Sequence, residues 1–356
     1  MSLEYATTQF AIDGEFHGAE TWGNGHINDT YRATYRHNGA VVHYIYQRIN
    51  HNVFRNPEAM MDNIARVTAH LQKKLGPRAA RHALTLVPTR EGASFCRDKE
   101  GNCWRTYHFV AGARTHDTIQ TARQAYEAAR AFGEFQRLLA DLPSPRLKET
   151  IPDFHHTPKR FAALECAIEA DVAKRAVYAD AEIRFALKRK PLCNILLNAN
   201  LPERVTHNDT KINNVLLDDE TNEGVCVIDL DTVMPGLALY DFGDMVRTAT
   251  CRAAEDERDL GKIHMELELF EALASGYLAA TNGFLTPAER ALLVASGKLI
   301  TFENGIRFLT DYLQGDIYFK VHRAGHNFDR CRTQFKLVES ITAQEDEMAR
   351  VVTHLG

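Results

Sequence analysis

One stretch of this chain leaves little freedom in how it can fold. It runs Val205-Thr206-His207-Asn208-Asp209-Thr210-Lys211-Ile212-Asn213-Asn214-Val215-Leu216-Leu217 and, after a polar break, Val225-Cys226-Val227-Ile228-Asp229-Leu230-Asp231. Val215 to Leu217 reads as an apolar strand, Asp218 to Gly224 (DDETNEG) as a polar turn, and Val225 to Ile228 as the returning strand. A β-hairpin so built carries an H-x-D-x-x-x-x-N loop at its entrance and an I-D-x-D sequence at its exit. It brings Asn214 and Asp229 to the same end of one ribbon. Strand alternation then predicts Asp231 on the same face as Asp229.

Three oxygen-bearing groups held at such places suit phosphoryl transfer. That reaction asks for positioning, charge neutralisation and a group to orient the attacking hydroxyl. Asp209 can accept the hydroxyl proton. Asn214 and Asp229 offer hard oxygen ligands of the kind Mg²⁺ takes when it bridges nucleotide phosphates. Alone, Asp209 would read as a turn residue and Asn214 as a cap; the hairpin that follows favours the catalytic reading. His207 is expected to be structural, bonding backbone beside the metal. Downstream, Asp241-Phe242-Gly243 spells a metal-binding triplet, but the Met234-Pro235-Gly236 turn separates it from the hairpin. Asp241 and Asp244 are therefore expected to support the loop backbone or to cap a helix starting near residue 242.

The rest of the chain divides by pattern. Phe16 to Trp22, Asp29 to Tyr35 and Val41 to Ile49 read as strands, and Asn56 to Leu75 as a helix with Met60, Met61, Ile64, Val67 and Leu71 on one side. Ala93 to Cys96 and Cys103 to Val110 read as a hairpin. After Ala111-Gly112 the pattern turns helical: Thr121 to Leu142, a helix capped at Thr157-Pro158, and a capping box at Thr286-Pro287-Ala288-Glu289. The expected organisation is a β-rich lobe over residues 1–110 and an α-rich lobe over 111–356 that contains the hairpin, with nucleotide between them. The net charge of −5 suggests no nucleic-acid partner. An odd count of 7 cysteines fits reduced thiols, and the N-terminus lacks the basic and apolar regions of a signal peptide, so a cytoplasmic location is expected. No apolar run approaches the ~20 residues of a membrane span. Oligomeric state is not legible.

At the phosphate end, Gly23-Asn24-Gly25 lies between two strands. Such a turn serves a tight hairpin, or lays backbone N–H groups over phosphates. His26 and Asn28 follow and could reach nucleotide or acceptor. Kinases hold phosphates with a third-strand lysine; this chain has no lysine before Lys73, and Gln47 or Arg48 takes that place by register. Asp62 is the nearest acid on the helix that follows. Phe109 and Val110 would meet the base through backbone groups, which leaves ATP and GTP both open. Further along, Glu303, Arg307 and Asp311 repeat at i, i+4 and i+8, which predicts a solvated, salt-bridged helix face opposite Ile306, Leu309 and Leu313. A helix continuing past Gly315 would place Tyr318 on the side of Arg307.

T-H-N-D-T-K-I-N-N-V-L-L-D, V-I-D-L-D-T-V-M-P-G and Y-D-F-G-D together resemble the aminoglycoside phosphotransferase / choline-homoserine kinase-like superfamily. The wording is most similar to N-acetylhexosamine 1-kinases, with further shared strings at Gly23–Tyr31, Phe154–Phe161 and Arg307–Phe319. The resemblance implies an α+β, bilobal protein-kinase-like fold: a small β-rich N-lobe and a larger α-helical C-lobe with the catalytic β-hairpin. It implies ATP and Mg as cofactors and the anomeric hydroxyl of an amino sugar as acceptor. Arg307 and Tyr318 would bind ring hydroxyls or the acetamido group, and His26, Asp209 and Asp231 would close the pocket. The sub-family also resembles this chain in bearing a glutamine on the third strand. Met245-Val246-Arg247-Thr248 departs from it, since an aromatic platform for the sugar is expected there. Two alternatives stay open. One is another small-alcohol kinase (homoserine, choline or aminoglycoside), although Arg307, Arg160 and Arg247 do not suit a polycation. The other is a pseudokinase that binds nucleotide without turnover; the missing lysine supports it, and the intact Asp209, Asn214 and Asp229 oppose it.

Overall fold

The computed structural model describes residues 2–23, 27–51 and 53–355. Asn24, Gly25 and His26, three of the residues expected at the phosphate or acceptor end, lie outside them. The chain forms two compact units. The first comprises Met1–Ala113, Asp141–Pro152 and Val225–Met234; the second comprises Arg114–Ala140, Asp153–Gly224 and Pro235–Gly356.

In the first unit, α1 (Ser2–Gln9) precedes β1 (Glu15–Thr21), β2 (Asp29–His37) and β3 (Ala40–Ile49); α2 (Pro57–Leu75), α3 (Ala79–His82), β4 (Cys96–Arg97) and β5 (Cys103–His108) follow. The strands make an antiparallel sheet in the order β1-β2-β3-β5-β4. Alternation along β2 turns Ala33 and Tyr35 inward, where they meet Tyr46, Trp104, Phe10 and Ile12 in a closed core. The two buried phenols satisfy each other, with Tyr35 Oη 2.8 Å from Tyr46 Oη. Helix α2 starts where the sequence signals it. Asn56 accepts from the Ala59 N–H at 3.0 Å and Pro57 occupies the first turn. Asn63 on this helix explains why two later segments join the unit. It is fully buried; its Nδ2 donates to the carbonyls of Lys148 (2.7 Å) and Val233 (3.0 Å), and its Oδ1 accepts from Lys148 N (3.0 Å). A local sequence pattern carries no trace of that tether, which is why the single expected boundary near residue 110 misses it.

The second unit is helical: α4 (Ala122–Leu138), α5 (Thr157–Ala170), α6 (Asp180–Lys188), α7 (Ala238–Ala249), α8 (Leu267–Ala280), α9 (Pro287–Ala291), α10 (Leu293–Gln314), α11 (His326–Ala343) and α12 (Glu345–His354). Its core joins α5, α10 and α11 through Phe161, Phe302, Leu309 and Phe335. Helices α7 and α10 touch backbone to backbone. A Cβ at Gly243 would stand 2.5 Å from the Ser296 carbonyl oxygen, and one at Gly297 would stand 2.8 Å from a Val246 methyl. The Thr286–Glu289 capping box forms as expected. Three boundaries differ from expectation. Helix α4 ends at Leu138. His156, not Thr157, caps α5 by accepting from the Lys159 N–H. Helix α10 stops at Gly315, whose φ of +96° suits glycine, so Tyr318 lies beyond it. No helix among the described residues is long and apolar enough to cross a membrane.

Candidate active site

The loop at 206–214 is held from below. Asp241, in the first turns of α7, is fully buried; its Oδ2 accepts from His207 N at 2.9 Å and its Oδ1 from Asn208 N at 2.7 Å. Gln136 Nε2 donates to the same carboxylate at 2.6 Å, and Thr210 Oγ1 donates to the Asp241 carbonyl at 2.6 Å. Burial nevertheless pushes the Asp241 carboxyl above its ordinary range. These bonds hold Asn208 at a φ of +65°, where a side chain is uncommon and a turn residue such as Asn is best tolerated. His207 is fully buried against the edges of Phe132 and Phe135, and its Nδ1 accepts from Asp209 N at 3.3 Å. Helix α7 starts at Ala238 rather than near 242, so Asp241 serves the loop and not a cap.

The Asp209 carboxylate keeps 26% side-chain exposure, with Lys211 Nζ 3.0 Å from Oδ1. Burial opposes the Asp209 charge, but the Lys211 ammonium outweighs it and holds the carboxyl below the usual carboxylate range, with His207 and Arg247 contributing. Asp209 raises the Lys211 amine in return, more than burial lowers it. A carboxylate of such low basicity is suited to orient a hydroxyl and to take its proton only as the bond to phosphorus forms. Asn214 Nδ2 donates to the Asp209 carbonyl (2.8 Å) and to Asp209 Oδ2 (3.1 Å), so Oδ1 is the amide oxygen that could meet a cation. Buried Arg247 joins the surroundings, donating from Nε to Asp244 Oδ1 and from Nη1 to Glu255 Oε1, both at 2.8 Å. The turn after the loop is built as its sequence indicates: Asp218 Oδ1 accepts from Glu220 N and Thr221 N, and Asp218 N donates to the Glu223 carbonyl.

In the first unit, Asp229 takes the left-handed conformation, φ +58°, and a 3₁₀ turn over Leu230–Thr232 follows. Strand alternation therefore does not govern Asp231, contrary to expectation. Asp231 is buried instead and pairs with the equally buried Arg105 guanidinium of β5; their side chains are 3% and 1% exposed. Burial works against the Arg105 charge and Asp231 outweighs it, keeping the guanidinium's pKa above its ordinary value. Asn28 Nδ2 donates to Asp231 Oδ2 at 2.6 Å, and Thr150 Oγ1 donates to the Asp231 carbonyl at 3.1 Å. Both carboxylate oxygens are thus engaged within the unit, and Asp231 braces the turn that carries Asp229.

The other nucleotide candidates are placed as follows. Gln47 sits opposite Arg105 in the sheet register; its Oε1 accepts from Arg105 Nε (2.9 Å) and its Nε2 donates to Thr30 Oγ1 (3.1 Å). Arg48 is half-exposed and paired with Asp29. Gly23 has a φ of +74° and open space where a Cβ would be. Phe109 packs edge-on to Trp22, its N–H reaching the His43 carbonyl at 3.3 Å, and Val110 is buried. Asp62 pairs with Lys148 at 3.2 Å.

The solvated stripe expected on α10 is not there. Glu303 and Asp311 are buried, at 0% and 2% exposure, and each has its own task. Asp311 accepts from the backbone N–H groups of Ile317, Tyr318 and Phe319, gathering the chain just past the helix end. Glu303 bonds His155 and Thr157. Arg307 lies over the Phe154 ring at 5.1 Å and the Phe319 ring at 5.5 Å, and its Nη1 donates to Asn304 Oδ1 at 3.3 Å. Tyr318 is 56% exposed, its ring against Phe319. Sequence reasoning passed over Lys211, Arg105 and the His155–Glu303 pair. The D-T-K spacing carried a signal for Lys211; Arg105 and His155 find their partners only through the fold.

Among the described residues no group of three or more His, Cys, Asp or Glu could hold a metal ion. Mg²⁺ asks less of a protein. One or two protein oxygens suffice when phosphates and water complete its octahedron, so the Asn214 Oδ1 and Asp229 carboxylate chemistry fits it.

A β-rich unit and a helical unit, with a buried aspartate under an H-x-D-x-x-x-x-N loop, define the class as a kinase-like phosphotransferase. The model of the phosphotransferase enzyme family, APH, matches residues 19–292, and the chain belongs to that family. Solved structures share the fold over nearly its whole length. An aminoglycoside phosphotransferase from Alicyclobacillus acidocaldarius subsp. acidocaldarius superposes with a TM-score of 0.64 at 14% identity, covering 99% of this chain and 96% of its own. Spectinomycin phosphotransferase in complex with ADP and spectinomycin gives 0.61 at 14% identity, covering 97% of each chain. Ethanolamine kinase from Plasmodium vivax gives 0.57 at 15% identity, covering 89% of this chain and 82% of that one.

Proposed function

We propose that this enzyme transfers the terminal phosphate of Mg²⁺-ATP to a hydroxyl of a small molecule, and that the acceptor is an N-acetylhexosamine phosphorylated at its anomeric hydroxyl. The observation that carries the reading is the Asp209 carboxylate, part-exposed, kept ionised by Lys211 and tied to Asn214 on a loop clamped by Asp241. In this reading Asp209 orients the acceptor hydroxyl and receives its proton, and Asn214 and Asp229 hold Mg²⁺. The metal, when bound, neutralises charge on the phosphates. Arg105 and Asp231 keep Asp229 in its left-handed turn.

The acceptor choice is supported by the sequence strings shared with N-acetylhexosamine 1-kinases and by charge. The positive charges of Lys211, beside Asp209, and of Arg307, over the Phe154 and Phe319 rings, disfavour a cationic acceptor such as choline, ethanolamine or an aminoglycoside. Planar guanidinium donors suit vicinal hydroxyls. The test is ADP release from Mg²⁺-ATP with N-acetylglucosamine, N-acetylgalactosamine, glucose, galactose, homoserine, choline and kanamycin, with Asp209→Asn as control. Turnover confined to the N-acetyl sugars is expected. Turnover with choline or kanamycin instead would overturn the acceptor assignment, and activity equal to wild type in Asp209→Asn would overturn the catalytic one.

A further inference from the structure

His155 and Glu303 are both buried, at 2% and 0% side-chain exposure, and they meet with Nδ1 2.7 Å from Oε1. The other ring nitrogen, Nε2, lies 3.0 Å from the backbone carbonyl oxygen of Asn208. Glu303 Oε2 accepts from Thr157 Oγ1 at 2.6 Å. A carbonyl cannot donate, so Nε2 carries a proton and gives it to Asn208. A second proton lies between Nδ1 and Oε1, because two bare lone pairs would not face each other at that distance. The pair is a neutral unit holding both protons, walled by the rings of Phe154 and Tyr240 at 4.7 and 5.0 Å.

The carbonyl it grips belongs to the peptide joining Asn208 to Asp209. Turning that peptide would change the ψ of Asn208 and the φ of Asp209, and it would also pull the Asp209 N–H from His207 Nδ1, 3.3 Å away. Asp241 holds the N–H side of Asn208 at 2.7 Å; His155 holds the C=O side. Turning this peptide would swing the Asp209 carboxylate away from Lys211 and Asn214. We propose that His155 is a positioning residue: its Nε2–H, backed by Glu303, locks the Asn208–Asp209 peptide and so aims Asp209. The inference rests on Asp209 being the group that orients the acceptor hydroxyl.

The groups facing His155 are Glu303 and Arg307 from α10 and Asp244 and Tyr240 from α7. Burial lowers the affinity of His155 for its second proton, and Glu303 more than restores it. Raising the pH past the point where that proton leaves would turn the remaining N–H toward the carboxylate, the stronger acceptor, and release the carbonyl.

Two substitutions separate the grip from the packing. Asn places an amide near Nδ1, keeping a donor for Glu303 but losing the one for Asn208; Gln places its amide near Nε2 and restores the donor for Asn208. With Mg²⁺-ATP and N-acetylglucosamine, His155→Asn is expected to lower kcat about 10–100-fold with the KM for ATP within twofold. His155→Gln is expected to recover at least a third of the wild-type kcat. Equal losses in both variants, or a kcat within twofold of wild type in His155→Asn, would overturn the role. Should both fail to fold, Glu303→Gln decides through its pH profile. A neutral amide lets His155 keep its Nε2–H at every pH, so the alkaline fall of kcat should vanish; an unchanged profile would overturn the role. Asp209→Asn run beside them separates the two ideas. Loss there with wild-type rates in His155→Asn sinks only the positioning role, whereas an active Asp209→Asn sinks the assignment beneath it.

Discussion

Replacing Asp231 by Asn would leave the shape of the Arg105 pocket almost unchanged and remove one charge. The Arg105 guanidinium is 1% exposed, its Nε is occupied by Gln47 at 2.9 Å, and its charge is answered by Asp231. Asn28, which donates to Asp231 Oδ2 at 2.6 Å, would face an amide instead of a carboxylate. Breaking a buried pair from one side costs about 3–5 kcal/mol because an uncompensated charge remains. A chain of this size loses about 2 °C of melting temperature per kcal/mol, so a fall of about 6–10 °C follows. The double variant Asp231→Asn/Arg105→Met removes both charges and should recover most of that loss, since a buried pair and an apolar replacement are often near parity. Arg48→Ala is the internal control. Its pair with Asp29 is exposed, at 40% and 51%, and such pairs contribute about 0–1 kcal/mol. Calorimetric melting of the four proteins at one pH decides the matter. An Asp231→Asn variant melting within 2 °C of wild type, or a double variant melting below the single one, would refute the reasoning.

Other outcomes follow from the same geometry. Asp209→Asn should lower kcat by about three powers of ten with nucleotide affinity nearly intact, read by ADP release and by nucleotide titration. Lys211→Met removes the cation that depresses the Asp209 carboxyl. Below its pKa Asp209 is protonated and idle, so raising that pKa should move the acid limb of kcat to higher pH; an acid limb at the wild-type position would count against the pairing. Gln47→Ala should raise the KM for ATP several-fold and lower the melting temperature, because it strips an acceptor from the buried Arg105, whereas Arg48→Ala should change neither much. The reverse order would assign the phosphate end to Arg48.

The parts of the fold that rest on local periodicity were legible: β2, β3, α2 and the 218–224 turn lie within a few residues of where alternation, capping and turn chemistry put them. The meeting of Asp209 and Asn214 was legible because their spacing is itself local. What failed was long-range. The i, i+4, i+8 repeat of Glu303, Arg307 and Asp311 reads as a surface stripe, yet Glu303 is sought out by His155 from 148 positions away. Alternation placed Asp231 wrongly because Asp229 breaks the strand with a positive φ, a conformation its residue type permits but does not announce. Charged residues on a periodic helix face look the same whether they meet water or a buried partner, and only the packing decides.

The union of Val225–Met234 with the N-terminal sheet also sets an order of events during synthesis. Arg105 leaves the ribosome 126 residues ahead of Asp231. At about 5–20 residues per second, the sheet waits roughly 6–25 s for the acid that neutralises its innermost cation. Over that interval the nascent β-unit has good reason to stay open, and a chain truncated at residue 113 would keep that cation unanswered. The turn bearing Asp229 is thus the last piece the first unit receives, and it arrives together with the acid that lets the sheet close.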